Sequence, residues 1–240
     1  MGLGVSDVTR VILDEHKIEG KRLGRHIEHD ELSRAYPYAQ VVKESALRTV
    51  HHRRYGAPFN QGQIGSCTGN ASAGCVNTIP IHKSGQHLLT ETDAVSIYER
   101  ATVLDGFPGT YPPDDTGSSG LAAAKALLER GLIAGYQHAF SLEAALAALQ
   151  AGPLITGVNW YEGFDTPDEN GLVKIAGQVR GGHEFEVKGF TLRTPLDDSL
   201  ILCENSWGTD WGLDGKFHFT VATWRQLLSE QGDATILVAK

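Results

Sequence analysis

Methionine occurs once, cysteine three times and tryptophan four times in 240 residues, and aromatic residues make up 8% of the chain. Three cysteines supply no disulfide framework, so the fold is expected to stand without bridges and to suit a reducing compartment. Basic residues are in deficit, with 21 Lys and Arg against 29 Asp and Glu for a net charge of -8. That balance argues against nonspecific binding to nucleic acid. No run of about 18 apolar residues occurs, which excludes an apolar helical membrane span. The N-terminus has no charged region followed by an apolar one, so no secretory signal is expected and a cytoplasmic location is the default. Residues 1–6 satisfy the short myristoylation pattern, but such a pattern arises often by chance. His26, His29, His51 and His52 have no cysteine or carboxylate arrangement beside them that completes a ligand set, so no metal is expected. With 41% apolar and 21% charged residues, the composition is that of an ordinary globular chain, long enough for one domain or two packed halves.

Against these absences stand three strings, QGQIGSC, GGHEFEVKGF and ENSWGTDWG. They provide Gln61, Cys67, His183 and Asn205, the residue types a thiol hydrolase needs. A free thiol is mostly protonated at neutral pH and needs a helix N-terminus and an imidazolium partner to be held as thiolate. Gly65 and Ser66 form a plausible turn into a helix over 67–79 that Pro80 stops, which puts the sulfur on the first helical turn, where the dipole favours an anion. The alternation from His183 reads as a strand with His183, Phe185 and Val187 on one face and Glu184, Glu186 and Lys188 on the other. A strand over 200–205 ends at Asn205, whose amide could accept from one ring nitrogen of His183 and leave the other aimed at the thiol. Cys75 and Cys203 read as small buried hydrophobes.

In this combination the chain resembles the papain family of cysteine peptidases. The family's oxyanion glutamine stands six residues before its nucleophile, as Gln61 does before Cys67, and its asparagine opens an NSWG motif, as Asn205 does. Gly152-Pro153, Trp211-Gly212, Gly215 and the Gly-rich segment 117–120 extend the match, which covers residues 53–220. The resemblance implies an α+β, papain-like fold with a helical left half, a strand-rich right half and an active-site cleft between them. It also implies a Cys67-His183-Asn205 triad, oxyanion donors from Gln61 and the Cys67 amide, and substrate contacts at Gly117, Ser118 and Trp207, the last shielding the His–Asn bond. No metal or organic cofactor is required. The expected partner is a peptide or protein substrate, the acidic charge mildly favouring neutral or basic ones, with no nucleic acid, no membrane and a monomeric state. Thr68 stands where the family usually has an aromatic residue, Glu184 where a small one is common, and Ile64 where a cysteine of the family's usual disulfide is found. A cell-wall peptide hydrolase, transpeptidase or amidase on the same fold is the first alternative, and a catalytically silent binding module the second.

Residues 1–40 are polar and charged and read as an N-terminal arm or short pro-like extension, with 41–240 as the papain-like peptidase domain. The arm has no long helical propeptide signature, as expected of a short bacterial-type or phage-type member. Its apolar anchors are limited to Val8, Val11, Ile12, Leu13, Ile18, Leu23, Ile27, Leu32, Tyr36 and Tyr38. It is expected to pack on the domain or partly cover the cleft, leaving an active or weakly restrained enzyme. Further helices are expected over 92–104, 119–130 and 141–150, with a long irregular loop over 106–120. Strands are expected over 154–160, 172–175, 183–190, 200–205, 216–221 and 235–238, and a capping box at Thr223 is expected to open a short helix.

Overall fold

The computed structural model describes residues 9–16, 18–29, 38 and 43–240. Residues 1–6, Val8, Leu32 and Tyr36 lie outside these residues. The arm contributes strands β1 (Thr9–Val11) and β2 (Ile27–His29), which pair antiparallel with each other. The short strand β3 is Val50–His51.

The first half is helical. Helix α1 (Cys67–Val76) is buried along its whole length, which its small residues Gly69, Ala71, Ser72, Ala73 and Gly74 permit. It ends three residues before the expected stop because Ile79 precedes Pro80, and a residue before proline disfavours helix. Helix α2 (Glu91–Leu104) opens on a capping box in which Thr90 and Asp93 exchange hydrogen bonds, and α3 (Gly120–Glu129) is capped by Ser119. These three helices enclose a core of Ala71, Ala73, Cys75, Ile97, Ala101, Ala122, Ala126 and Leu127.

The second half adds β4 (Gly135–Ala139), α4 (Leu142–Ala151), β5 (Leu154–Tyr161), β6 (Val179–Thr191), β7 (Leu200–Glu204), β8 (Lys216–Thr220), α5 (Val221–Ser229) and β9 (Asp233–Val238). They form a seven-stranded antiparallel sheet in the order β4-β9-β5-β6-β7-β8, with β3 also on β6. Its core contains Trp160, Phe164, Phe185, Phe190, Phe217, Phe219 and Trp224. Cys67, Cys75 and Cys203 are all free and buried.

Three expectations need correction. Residues 172–175 make only a single bridge, Leu172 to His218, because the turn at Asp168 to Gly171 delivers the chain there for one pairing alone. Helix α5 starts before Thr223, since Thr220 is the cap that accepts from the Thr223 amide. His183 is internal to β6 rather than at a strand end, because pairing with β5 continues back to Val179. Strand β4 was not expected; its Gly-Tyr-Gln-His-Ala sequence has no strong alternation, and pairing with β9 creates it.

The polar face of β6 is buried too. Arg54, with a side chain 3% exposed, lies 3.1 Å from Glu186 and 3.0 Å from Glu204, and Lys188 also pairs with Glu204. Thr78, just beyond α1, donates to Glu186 as well. Removing one partner of a buried ion pair leaves an uncompensated charge, so Arg54→Leu should cost about 3–5 kcal/mol. In a chain of this size that is a fall in Tm on the order of 10 °C. Thermal melts check this, and a fall under about 3 °C would mean the cluster contributes little.

Candidate active site

Cys67 is the first residue of α1, and Asn70 braces the turn before it by donating to the Ser66 carbonyl and hydroxyl. Asp115 braces the same turn by accepting from the Gly65 amide at 3.0 Å and from the Tyr98 hydroxyl at 2.7 Å. The backbone amides of Glu184, the residue after His183, and of Thr68 lie close enough to the Cys67 sulfur to oppose the rise in its pKa. The thiol therefore lies against β6 beside His183.

His183 and Asn205 meet at 2.7 Å, Nε2 to Oδ1. Oδ1 also accepts from the Ser206 amide at 2.8 Å. A backbone N–H can only donate, so this atom is the amide oxygen and His183 must carry its proton on Nε2. Nδ1 is buried, has no hydrogen-bond partner and is left as the basic nitrogen. Trp207 and Trp160 hold the imidazole, with ring centroids 5.0 and 4.8 Å from it. Gln61 is oriented by its Oε1, which accepts from the Ser206 hydroxyl at 2.7 Å, so that its amide nitrogen faces the site. The structure thus brings together Gln61, Cys67, His183, Asn205 and Trp207 as the strings suggested.

The arm occupies this site. The Gly24 and Arg25 amides both donate to the Gly182 carbonyl, the Ser118 amide donates to the Gly24 carbonyl, and the His26 amide donates to the Ser118 carbonyl. Ser118 thus pairs with the arm backbone on one rim, as Gly182 does on the other. Gly117, beside it, is bonded through its amide to Tyr98 rather than to the arm. Leu23 presents its carbonyl to Gln61 Nε2 at 3.3 Å, and Arg22 presents its own to the Trp207 indole at 3.1 Å. Close backbone approach requires glycine here. A Cβ on Gly182 would stand 2.2 Å from the Arg25 carbonyl oxygen, and one on Gly24 would stand 2.2 Å from that of Gly65. Glu28 accepts from the Ser119 hydroxyl at 2.6 Å and pairs with Arg10, fixing β2 at the start of α3.

Coverage changes the electrostatics. Cys67 and His183 are both 0% exposed. Burial pushes the Cys67 thiol well above its ordinary value, and burial holds the His183 imidazole down to about 4 against the raising effect of Asn205. Burial thus disfavours both the thiolate and the imidazolium expected for the pair, because neither charge is hydrated there. Among the described residues no group of three or more His, Cys, Asp or Glu could hold a metal ion, and no helix is long and apolar enough to cross a membrane. His26 is instead buried as part of the arm itself, accepting from the Leu13 amide through Nδ1.

Sequence reading missed Arg25, Asp115, Gly157 and Asp233. Each acts through a partner far away in the chain, and none belongs to a local string. The signal within reach was Glu184, a long acidic side chain where the resembling family commonly has a small one.

No family model matches the chain. A stretch of 71 residues, 30% of this chain, is 35% identical to Cathepsin B-like CP3 of Giardia intestinalis, and the chain spans about a quarter of that relative, 23% of its length. Among solved structures, xylellain, a cysteine protease from Xylella fastidiosa, superposes with a TM-score of 0.72 over 94% of this chain and 98% of its own at 17% identity. The ragweed pollen cysteine protease Amb a 11, in its proform, gives 0.62 over 86% and 69% at 18% identity. Digestive procathepsin L 3 of the Tenebrio molitor larval midgut gives 0.60 over 94% and 76% at 16% identity. The helical half, the antiparallel sheet and the cleft between them make this chain a member of the papain-like fold.

Proposed function

We propose that the chain is a cysteine peptidase that hydrolyses peptide bonds through a Cys67 acyl-enzyme, with residues 1–40 as a covering arm and 41–240 as the peptidase domain. The observation that carries this is the His183–Asn205 bond, which fixes the tautomer and leaves Nδ1 without a hydrogen-bond partner, free to act as the base. In the reaction the Cys67 proton passes to Nδ1 while the sulfur attacks the substrate carbonyl carbon. Nδ1–H then protonates the departing amine as the carbon–nitrogen bond breaks, and water hydrolyses the thioester with Nδ1 again taking a proton. Gln61 Nε2 and the Cys67 amide would hold the oxyanion. Gly117, Ser118 and Trp207 would line the substrate path, as the backbone bonds of the arm to Ser118 and its contact with Trp207 support. The likeness to proteases of this fold favours the same reading.

The arm takes the donors a substrate needs, so the full chain is read as restrained more firmly than its few apolar anchors suggested. Its hold comes from backbone pairing and from the Arg25–Asp233 ion pair at 2.6 Å. Arg25→Glu, which turns that attraction into repulsion, should release the arm. Alkylation of Cys67 by iodoacetamide at neutral pH should then quicken by about tenfold or more, since a one-unit fall in thiol pKa alone is worth a factor near ten in thiolate. Mass spectrometry reads the rate, and equal rates in the two chains would reject the restraint.

In the released chain, adding Cys67→Ala or His183→Ala should abolish peptide turnover. Gln61→Ala should leave a residue lowered about 100- to 1,000-fold. Full turnover by the Cys67→Ala chain would end the nucleophile assignment.

A further inference from the structure

Glu184, Gly157 and Asp233 lie side by side across three neighbouring strands, because Gly157 of β5 is paired with Glu184 of β6 on one side and with Asp233 of β9 on the other. This row is immediately beside His183. The Arg25 side chain of the arm, itself fully buried, ends against it. Nη2 donates to Asp233 Oδ2 at 2.6 Å and to the Gln231 carbonyl at 2.9 Å. Gly157 makes the room: a Cβ there would stand 2.7 Å from Arg25 Nε. Buried oxygens remain without hydrogen-bond partners on both carboxyl groups, Asp233 Oδ1 and both oxygens of Glu184.

Such a row would be costly if it were left empty or filled with an apolar group, since a buried carboxylate without a cation or donor loses its hydration for nothing in return. Burial, then Asp233, pushes the Glu184 carboxyl up to about 8, and the nearby Arg25 cation opposes that rise. The arm backbone around Arg25 bonds to the Gly182 and Ser118 groups that flank the site. Any peptide lying along those rims would bring a side chain over the same row.

We propose that the Glu184-Gly157-Asp233 row is a specificity socket for a basic side chain, so that the substrates are peptides with Arg or Lys close to the scissile bond, Arg25 being its resident occupant. This rests on the peptidase reading above. An apolar side chain would leave Asp233 unpaired, whereas a guanidinium or ammonium replaces what Arg25 supplies.

Two measurements on the full chain separate the socket from the peptidase reading. In the Arg25→Glu chain, peptides varied at each of the three positions before the scissile bond should show Arg or Lys preferred over Leu at one position by about tenfold or more in kcat/KM, and Asp233→Asn should bring that ratio close to one. In the Arg25→Ala chain, which needs no turnover to be read, n-propylguanidinium should raise Tm above the value in equimolar sodium chloride, and the Arg25→Ala, Asp233→Asn chain should lose that rise. The guanidinium effect without turnover of any peptide would uphold the socket and reject the peptidase reading. Turnover that favours apolar side chains at all three positions, or a preference indifferent to Asp233→Asn, would overturn the socket and leave the peptidase reading standing. Absence of the guanidinium effect in an Arg25→Ala chain that melts cooperatively would overturn it equally.

Discussion

The two halves are held in register by one buried cation. Arg54 lies between Glu186 of β6 and Glu204 of β7, and Thr78 beyond α1 binds the same Glu186. Gly74 of α1 is glycine against that guanidinium, since a Cβ would come 2.6 Å from Nη1. The cluster thus ties together the helix that carries Cys67, the strand that carries His183 and the strand that leads into Asn205. Charges this deep fail unless each has its counter-ion, so small displacements of any element are penalised steeply. Apolar packing alone would hold the halves together with less say over where they meet.

A second consequence of burial falls on the chemistry. The thiol and imidazole are complementary as an ion pair only when water or preorganised dipoles reach them. Both groups are fully buried here, which disfavours either charge. Cys67 stands at the N-terminus of α1 with the amides of Thr68 and Glu184 near its sulfur even while the site is covered. The arm shares backbone bonds with Gly182 and Ser118 and accepts from Gln61, so it lies across the candidate site in an extended path.

Much of this was legible in local sequence. The caps at Ser119 and Ser141 announce α3 and α4, and Pro80 bounds α1, because capping and proline effects act within a few residues. The aromatic alternation of β6 was readable for the same reason. Strand β4 and the single bridge at Leu172 were not, since a strand with weak alternation exists only through its partner. The arm was the least legible part: its few apolar anchors suggested loose packing, while its seating comes from backbone bonds and from Arg25, which local composition does not weigh.

By itself the sequence pointed to the candidates for the chemistry, since Gln61, Cys67, His183 and Asn205 stand in short strings whose spacing fits a turn into a helix and the strands beside it. Only the tertiary structure decided that Gly157 would stand between Glu184 and Asp233, its neighbours in the sheet but 27 and 76 positions from it in the chain, and that Arg25 would end among them. Strand register and the path of the arm are set by long-range pairing, and long-range pairing leaves no periodicity in the chain to read.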